Sequence, residues 1–313
     1  MTHSAQRPSR GFHRSSRRHG SVRPATAFGI GTLVVLLAVA VVFFSVRWAS
    51  TGDASTSGTG SSGNAAPAAG AAPGQKVLKL TDHPILQDPN AGLQNIVCVL
   101  PDWHSDPATA ETFFTAAEAC LNEAWGSLLK AYGMPFAPPT LHFPDGASFQ
   151  TACGTIAVGV ATAAYYCDNN LYVPYKGLQI DQYGDNPGVY LALLAHEYGH
   201  HVQEVTGIMD AVWQRIYADG QASPAGLDLS RRKELQAQCF SGMFLGAVVD
   251  RGGSVTREMY AKAWRDQDTR GDNTSGSHDH GSNSHYAQWW HTGAQYNRIA
   301  QCNTFAAPAS EVS

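Results

Sequence analysis

Residues 191–205 read LALLAHEYGHHVQEV and hold three histidines and two glutamates behind an apolar lead-in. Leu191, Leu194, Ala195, Tyr198, Val202 and Val205 recur at spacings of three and four, the period of a helix with one buried face. His196 and His200 lie off that stripe and are four apart, so they share another face, one above the other. Glu197 follows His196 and completes H-E-x-x-H. One helical turn sets the two Cβ atoms about 6 Å apart. One nitrogen from each imidazole can then reach a single Zn²⁺ at about 2.0–2.1 Å. Glu197 would lie beside the ion, placed to take a proton from an activated water and hand it to a leaving amine. His201 is five residues from His196, points about 140° away and is expected outside the ligand set. E-x-x-H also suits a di-iron carboxylate site, but such sites need a second E-x-x-H, and the chain has none. The plain rival is a buried, histidine-rich helix with satisfied polar groups.

A catalytic zinc takes three protein ligands and keeps one position open. Downstream, residues 231–242 read RRKELQAQCFSG, and Glu234 lies 34 residues after His200. With Glu234 the set is two histidines and a glutamate, a known catalytic combination. The alternatives are a solvated first-turn glutamate favoured by the helix dipole, or a third ligand from His278, His280, His285 or His291. Gly242 and Gly246 share a stripe with Leu235 and Cys239, which allows a neighbour to pack closely. His280, in the polar stretch GDNTSGSHDHGSNSH, is a candidate to stabilise an oxyanion opposite the metal, and Tyr286 is a further one. Loop histidines are commonplace, so His280 also has a purely structural reading.

These residues need elements to hold them. Asp185-Asn186-Pro187 is a start signal and Gly207 a stop, so the H-E-x-x-H helix should run from about 187 to 206. A second helix is expected over 231–249, with Ser230 as N-cap and Gly252 just beyond its end. Others are expected over about 255–265 and 284–300. Upstream, 108–133 places Phe114, Ala117, Leu121, Trp125, Leu128 and Tyr132 on one stripe, read as core. PTLHF at 139–143 reads as a short strand, and 155–175 as two strands around a turn at Asp168-Asn169-Asn170. Strands first and helices after predict an α+β domain.

The 313 residues divide into unlike regions. Residues 1–24 carry six arginines and no acid, a basic cytoplasmic tail. Residues 25–46 carry no charge, and roughly 20 apolar residues span a bilayer. The flanking arginines place the N-terminus in the cytoplasm and the remainder outside. A cleaved signal peptide is the rival, but its apolar region is usually about 7–15 residues. Residues 47–76 form a Ser/Gly/Ala/Pro-rich linker, and 77–313 the extracytoplasmic domain. Beyond residue 76 lie 13 of the 21 Lys and Arg but 24 of the 25 Asp and Glu, a formal charge near −11 that argues against nucleic acid as a partner. All six cysteines lie in this region, an even number on the oxidising side of a membrane. Six cysteines allow 15 pairings, and sequence does not choose among them. Sequential pairing (Cys98–Cys120, Cys153–Cys167, Cys239–Cys302) is the expectation carried forward. No C-x-x-C pair occurs, which argues against zinc-thiolate sites.

The blocks AHEYGHHVQ, ELQAQC and HGSNSHYAQWWHTGAQYNRIAQCNTF, in that order, resemble the bacterial neutral zinc metallopeptidase family. The resemblance covers about 139–305 and includes TACG and YYC upstream. It implies a zincin-like ectodomain behind a membrane anchor. It also implies one Zn²⁺ per chain on His196, His200 and Glu234, with Glu197 as catalytic acid/base and a peptide or protein as substrate. Two blocks depart from the family pattern. The family's E-x-Q-A-D-C has Gln238 in place of Asp, four residues from Glu234 on the ligand face. There an Asp would hold a ligand histidine by its second ring nitrogen. Gln238 can accept the same bond but brings no charge. The family's H-G-T-S-x-Q-R reads His280 to Tyr286 here, without its Gln-Arg pair. The departures motivate an alternative, a catalytically degenerate zinc-site protein serving as a cell-envelope binding module. A further reading is hydrolysis of a non-peptide envelope component.

Overall fold

Proline and aspartate begin the first long helix of the described chain. The structure, a computed structural model, describes residues 74–160, 162–275 and 278–313. The expected tail, the apolar span and nearly all of the linker lie outside the described residues. No described helix is long and apolar enough to cross a membrane. Helix α1 (Pro107–Ala131) starts where the Asp106 carboxylate accepts from the backbone N–H of Ala108 and Thr109, both at 3.0 Å. Its expected stripe is buried from Phe114 to Leu128, and Tyr132 caps its end half-buried.

Five short strands follow: β1 (Thr140–His142), β2 (Ser148–Thr151), β3 (Gly154–Ala157), β4 (Tyr165–Cys167) and β5 (Asn170–Tyr172). They form a three-stranded sheet in the order β1-β5-β4 and a separate β2-β3 hairpin. β1 runs parallel to β5, and β4 antiparallel to it. The turn expected near Asp168 is there, tightened by positive φ at Asp168 and Asn169. Residues 155–157 pair within the separate hairpin instead of leading into β4.

The rest is helical. α2 (Ile180–Tyr183) is a single turn, and α3 (Pro187–Thr206) is the H-E-x-x-H helix with the expected bounds. α4 (Ile208–Asp219) resumes directly after Gly207, a helix that sequence reading missed because the glycine reads as a full stop. Ile208, Val212 and Ile216 are its buried face, and their spacing was the available signal. α5 (Pro224–Val248) starts seven residues before the expected position. Its cap is Ser223, whose Oγ accepts from Gly226 N–H at 3.0 Å, so Ser230 is an interior residue. Ser223-Pro224 is itself a start signal, passed over for a later serine. α6 (Arg257–Asp266) and the single turn α7 (Asp272–Ser275) lead to α8 (Asn283–Tyr296). α8 ends before the expected 300, at Asn297 in the left-handed conformation, and a 3-10 turn completes the segment.

α3 lies at the centre of this mixed α+β domain, packed against α1, α4, α5 and α6. Two close approaches set its surroundings. A Cβ on Gly199 would stand 2.7 Å from Ala237 O on α5, and one on Gly242 would stand 2.0 Å from Trp290 O on α8. The helix backbones meet where side chains are missing. All three disulfides follow the sequential order: Cys98–Cys120, Cys153–Cys167 and Cys239–Cys302. They point to a domain that folds outside the cytoplasm.

Candidate metal centre

His196 and His200 project from α3 toward Glu234 on α5, and all three are buried. Their ligand atoms lie within 4.8 Å of one another. His200 Nε2 is 3.0 Å and His196 Nε2 is 3.4 Å from the same carboxylate oxygen, Glu234 Oε2. Ligands about 2.0–2.1 Å from a tetrahedral ion stand about 3.3 Å apart, so these separations suit one.

The far side of each ring explains which nitrogen carries the proton. His200 Nδ1 is 2.9 Å from Gln203 Oε1, and the Gln203 amide donates to Lys233 O at 2.8 Å. His196 Nδ1 is 3.0 Å from Gln238 Oε1. The Gln238 amide donates to Gln267 Oε1, and the Gln267 amide donates to Ala263 O at 2.7 Å. Each chain of amides ends on a backbone carbonyl, which can only accept, so its direction is set. Both Nδ1 atoms therefore donate, and both Nε2 lone pairs face the Glu234 carboxylate. Acceptors facing one another across 3.0–3.4 Å call for a cation between them. The donor set fits zinc.

Electrostatics support the same assignment of charge. Burial disfavours the Glu234 carboxylate, but neighbouring positive charge, Lys233 first, outweighs it and holds the group well below its ordinary range. Lys233 Nζ is 2.7 Å from Glu234 Oε1 and lies over the Trp213 ring. Glu197 behaves in the opposite way. Burial raises its carboxyl, and the Glu234 charge adds to the rise. Glu197 makes no hydrogen bond to the described residues. It lines a cleft of about 70 Å³ with His196, Arg270, His280 and Tyr286.

His280 comes to this group. Its Nε2 is 3.7 Å from Glu234 Oε2, and its Nδ1 is 2.6 Å from Asp279 Oδ1. Burial works against its charge, but Glu234 and Asp279 raise its pKa. Tyr286 OH lies 3.5 Å from His196 Nδ1 at the edge of the cleft. The other histidines are engaged elsewhere. His291 stacks on Trp264 and bonds to its carbonyl, His285 bonds to Ser313 O, and His278 is exposed. His201 faces away as expected, between Ala137 O at 2.9 Å and Tyr166 OH at 3.3 Å. Sequence reading missed Gln203, Lys233, Gln267 and Arg270. Only Gln203 and Lys233 had a signal, one three residues after His200 and the other beside Glu234.

A family model described as "Putative neutral zinc metallopeptidase" matches residues 103–305, and the chain belongs to this family. It is 29% identical over 210 residues to "Uncharacterized protein YpfJ" of Escherichia coli (strain K12), covering 63% of this chain and 71% of that protein. It is 26% identical over 217 residues to "Uncharacterized protein Rv2575" of Mycobacterium tuberculosis (strain ATCC 25618 / H37Rv), covering 60% of this chain and 71% of that one. No solved structure matches the chain.

Proposed function

We propose that the protein is a membrane-anchored, extracytoplasmic metallopeptidase with a zincin-like domain, hydrolysing peptide bonds with one zinc ion per chain. The observation that carries the reading is the pairing of two environments. His196, His200 and Glu234 converge as buried donors, and Glu197 sits beside them as a buried carboxylate without a hydrogen-bond partner among the described residues. Bound there, zinc supplies Lewis acidity toward water and a carbonyl oxygen. Glu197 accepts the proton of the attacking water and delivers it to the leaving nitrogen, a task suited to a carboxyl whose pKa burial has raised. His280, oriented by Asp279, donates toward the oxygen that gains charge. Gln203 and Gln238 keep the two imidazoles in the ligating tautomer.

The apolar run at 25–46 supplies the anchor in this reading, residues 47–76 the tether, and the disulfides agree with an oxidising compartment. Gln238 and the lost Gln-Arg pair were the two grounds for a degenerate binding module, and the structure bears on Gln238. Its oxygen keeps the bond to His196 that an Asp would make, which favours the enzyme.

The test uses the purified full chain. It should hold about one zinc, lose it in His196→Ala and Glu234→Ala, and cleave members of a peptide library by mass spectrometry. Glu197→Gln should keep the metal and lose cleavage. Cleavage that persists in Glu197→Gln would remove Glu197 from the chemistry, and a folded, zinc-free wild type would leave the binding module as the reading.

A further inference from the structure

Arg270 follows the 3-10 turn Gln267–Thr269, and its side chain is 14% exposed. Among the described residues lining the cleft it is the one lysine or arginine. Its Nε donates to Asp266, and its guanidinium lies 5.2 Å over the Tyr183 ring. Two contacts thus fix its plane. Neither Nη atom has a hydrogen-bond partner among the described residues.

The other mostly buried arginines differ. Arg232 Nη1 bonds to Ala307 O at 2.8 Å, and Arg231 Nη1 bonds to His278 O at 3.2 Å. Those side chains tie the C-terminal segment to α5. The Arg270 Nη atoms are not among the described buried polar atoms left without a partner, so solvent reaches them and no such tie holds them. Arg270 lines the same cleft as Glu197, with those outer donors untied among the described residues.

We propose that Arg270 binds a carboxylate of the substrate, so that the cleft selects peptides presenting one close to the bond beside Glu197. The inference rests on the peptidase reading and names its substrate class. A guanidinium fork matches a carboxylate with two parallel N–H···O bonds. In a domain with a formal charge near −11, a fixed cation overcomes the repulsion that an acidic peptide meets elsewhere. Val160, Ala163, Ala164 and Leu193 also line the cleft and give it an apolar wall for a neighbouring side chain. The carboxylate has two sources, the C-terminus of a short peptide or an acidic side chain within a longer one.

The experiment measures peptide binding to the zinc-loaded full chain carrying Glu197→Gln. Three matched sets of N-acetylated tetrapeptides serve as probes: free C-termini, amidated C-termini, and amidated peptides with one glutamate. At least one carboxylate set should bind about tenfold or more tightly than the neutral amides. Preference for the free acids identifies the C-terminus, and preference for the glutamate set identifies a side chain. Arg270→Met should erase the preference at unchanged zinc content. Arg270→Lys keeps a charge for Asp266, guards against misfolding, and should also lose most of it, because its one ammonium is engaged there. Equal binding of all three sets, or a preference that survives both substitutions, overturns the anchor and leaves the peptidase reading standing. No binding by any set, with zinc in place, brings down the peptidase reading and the anchor with it.

Discussion

Gln238 Oε1 stands 3.0 Å from His196 Nδ1, and the position that the family pattern gives to an aspartate is filled by a neutral acceptor with a direction of its own. The direction comes from Gln267, which accepts from the Gln238 amide and donates to Ala263 O. A carboxylate would attract the imidazole N–H by charge. Here a line of amides, anchored on a carbonyl at the end of α6, does so by geometry.

In the zinc reading, that line makes Gln267 a positioning residue for the candidate metal site. Gln267→Leu leaves the Gln238 amide unpaired and free to turn its nitrogen toward His196. Zinc affinity should fall by about ten- to hundredfold, the usual cost of losing such a partner. Competition against a chromophoric chelator measures it. Wild-type affinity in a folded Gln267→Leu protein would show that His196 needs no such support.

The distance between the ligand-bearing helices depends on Gly199. In Gly199→Ala the new Cβ would meet Ala237 O at 2.7 Å and Ala237 Cα at 2.9 Å. Both are backbone atoms of α5, so the helices must part. The expected loss is about 1–3 kcal/mol of stability, with weaker zinc binding as Glu234 moves from His200. Thermal unfolding with and without zinc reports both. An unchanged melting temperature would contradict the close packing.

His201 should make the zinc-free fold sensitive to acid. Burial lowers its pKa from 6.5 to about 4, against the opposing bond to Ala137 O. Between those values the unfolded chain binds a proton that the folded one refuses. Stability is therefore complete above about pH 6.5 and declines as pH falls toward about 4, by roughly 3 kcal/mol for this residue. Urea denaturation from pH 7 to pH 4 should show the decline in the wild type and a shallower one in His201→Gln. Parallel curves for the two proteins would exclude His201 as the source.

The Cys239–Cys302 disulfide joins α5, on the turn after Glu234 and Gln238, to the segment beyond α8 across 63 residues. Closing a loop of that length stabilises a fold by about 4 kcal/mol in the chain-entropy account. The double Cys→Ala variant should melt well below the wild type and bind zinc less tightly at 37 °C. Calorimetry that finds equal melting temperatures would assign the disulfide no such role.

What was legible in the sequence was local. The H-E-x-x-H helix, its start at Pro187 and its stop before Gly207 follow from spacing, capping and glycine within one stretch of chain. Asp106-Pro107 and the apolar stripe likewise announce α1. Glu234 was legible as a candidate because residue type and ligand number pointed to it, and Gly242 was legible as a contact point. Signals failed where two local cues competed. Ser223 and Ser230 both suit a cap, and the helix continues through Ser230 with Arg232 tied to the carbonyls of Thr304 and Ala307. Gly207 ends one helix and admits another. Tertiary structure alone decided the rest. Whether Glu234 meets His200 depends on two helix backbones touching at Gly199 and Ala237, and no periodicity encodes that distance. Gln267 and Arg270 reach the site from the end of α6, far along the chain from α3. Hydrogen bonds and charges act through space, over a few ångströms, so residues remote in sequence become partners only after the chain has packed.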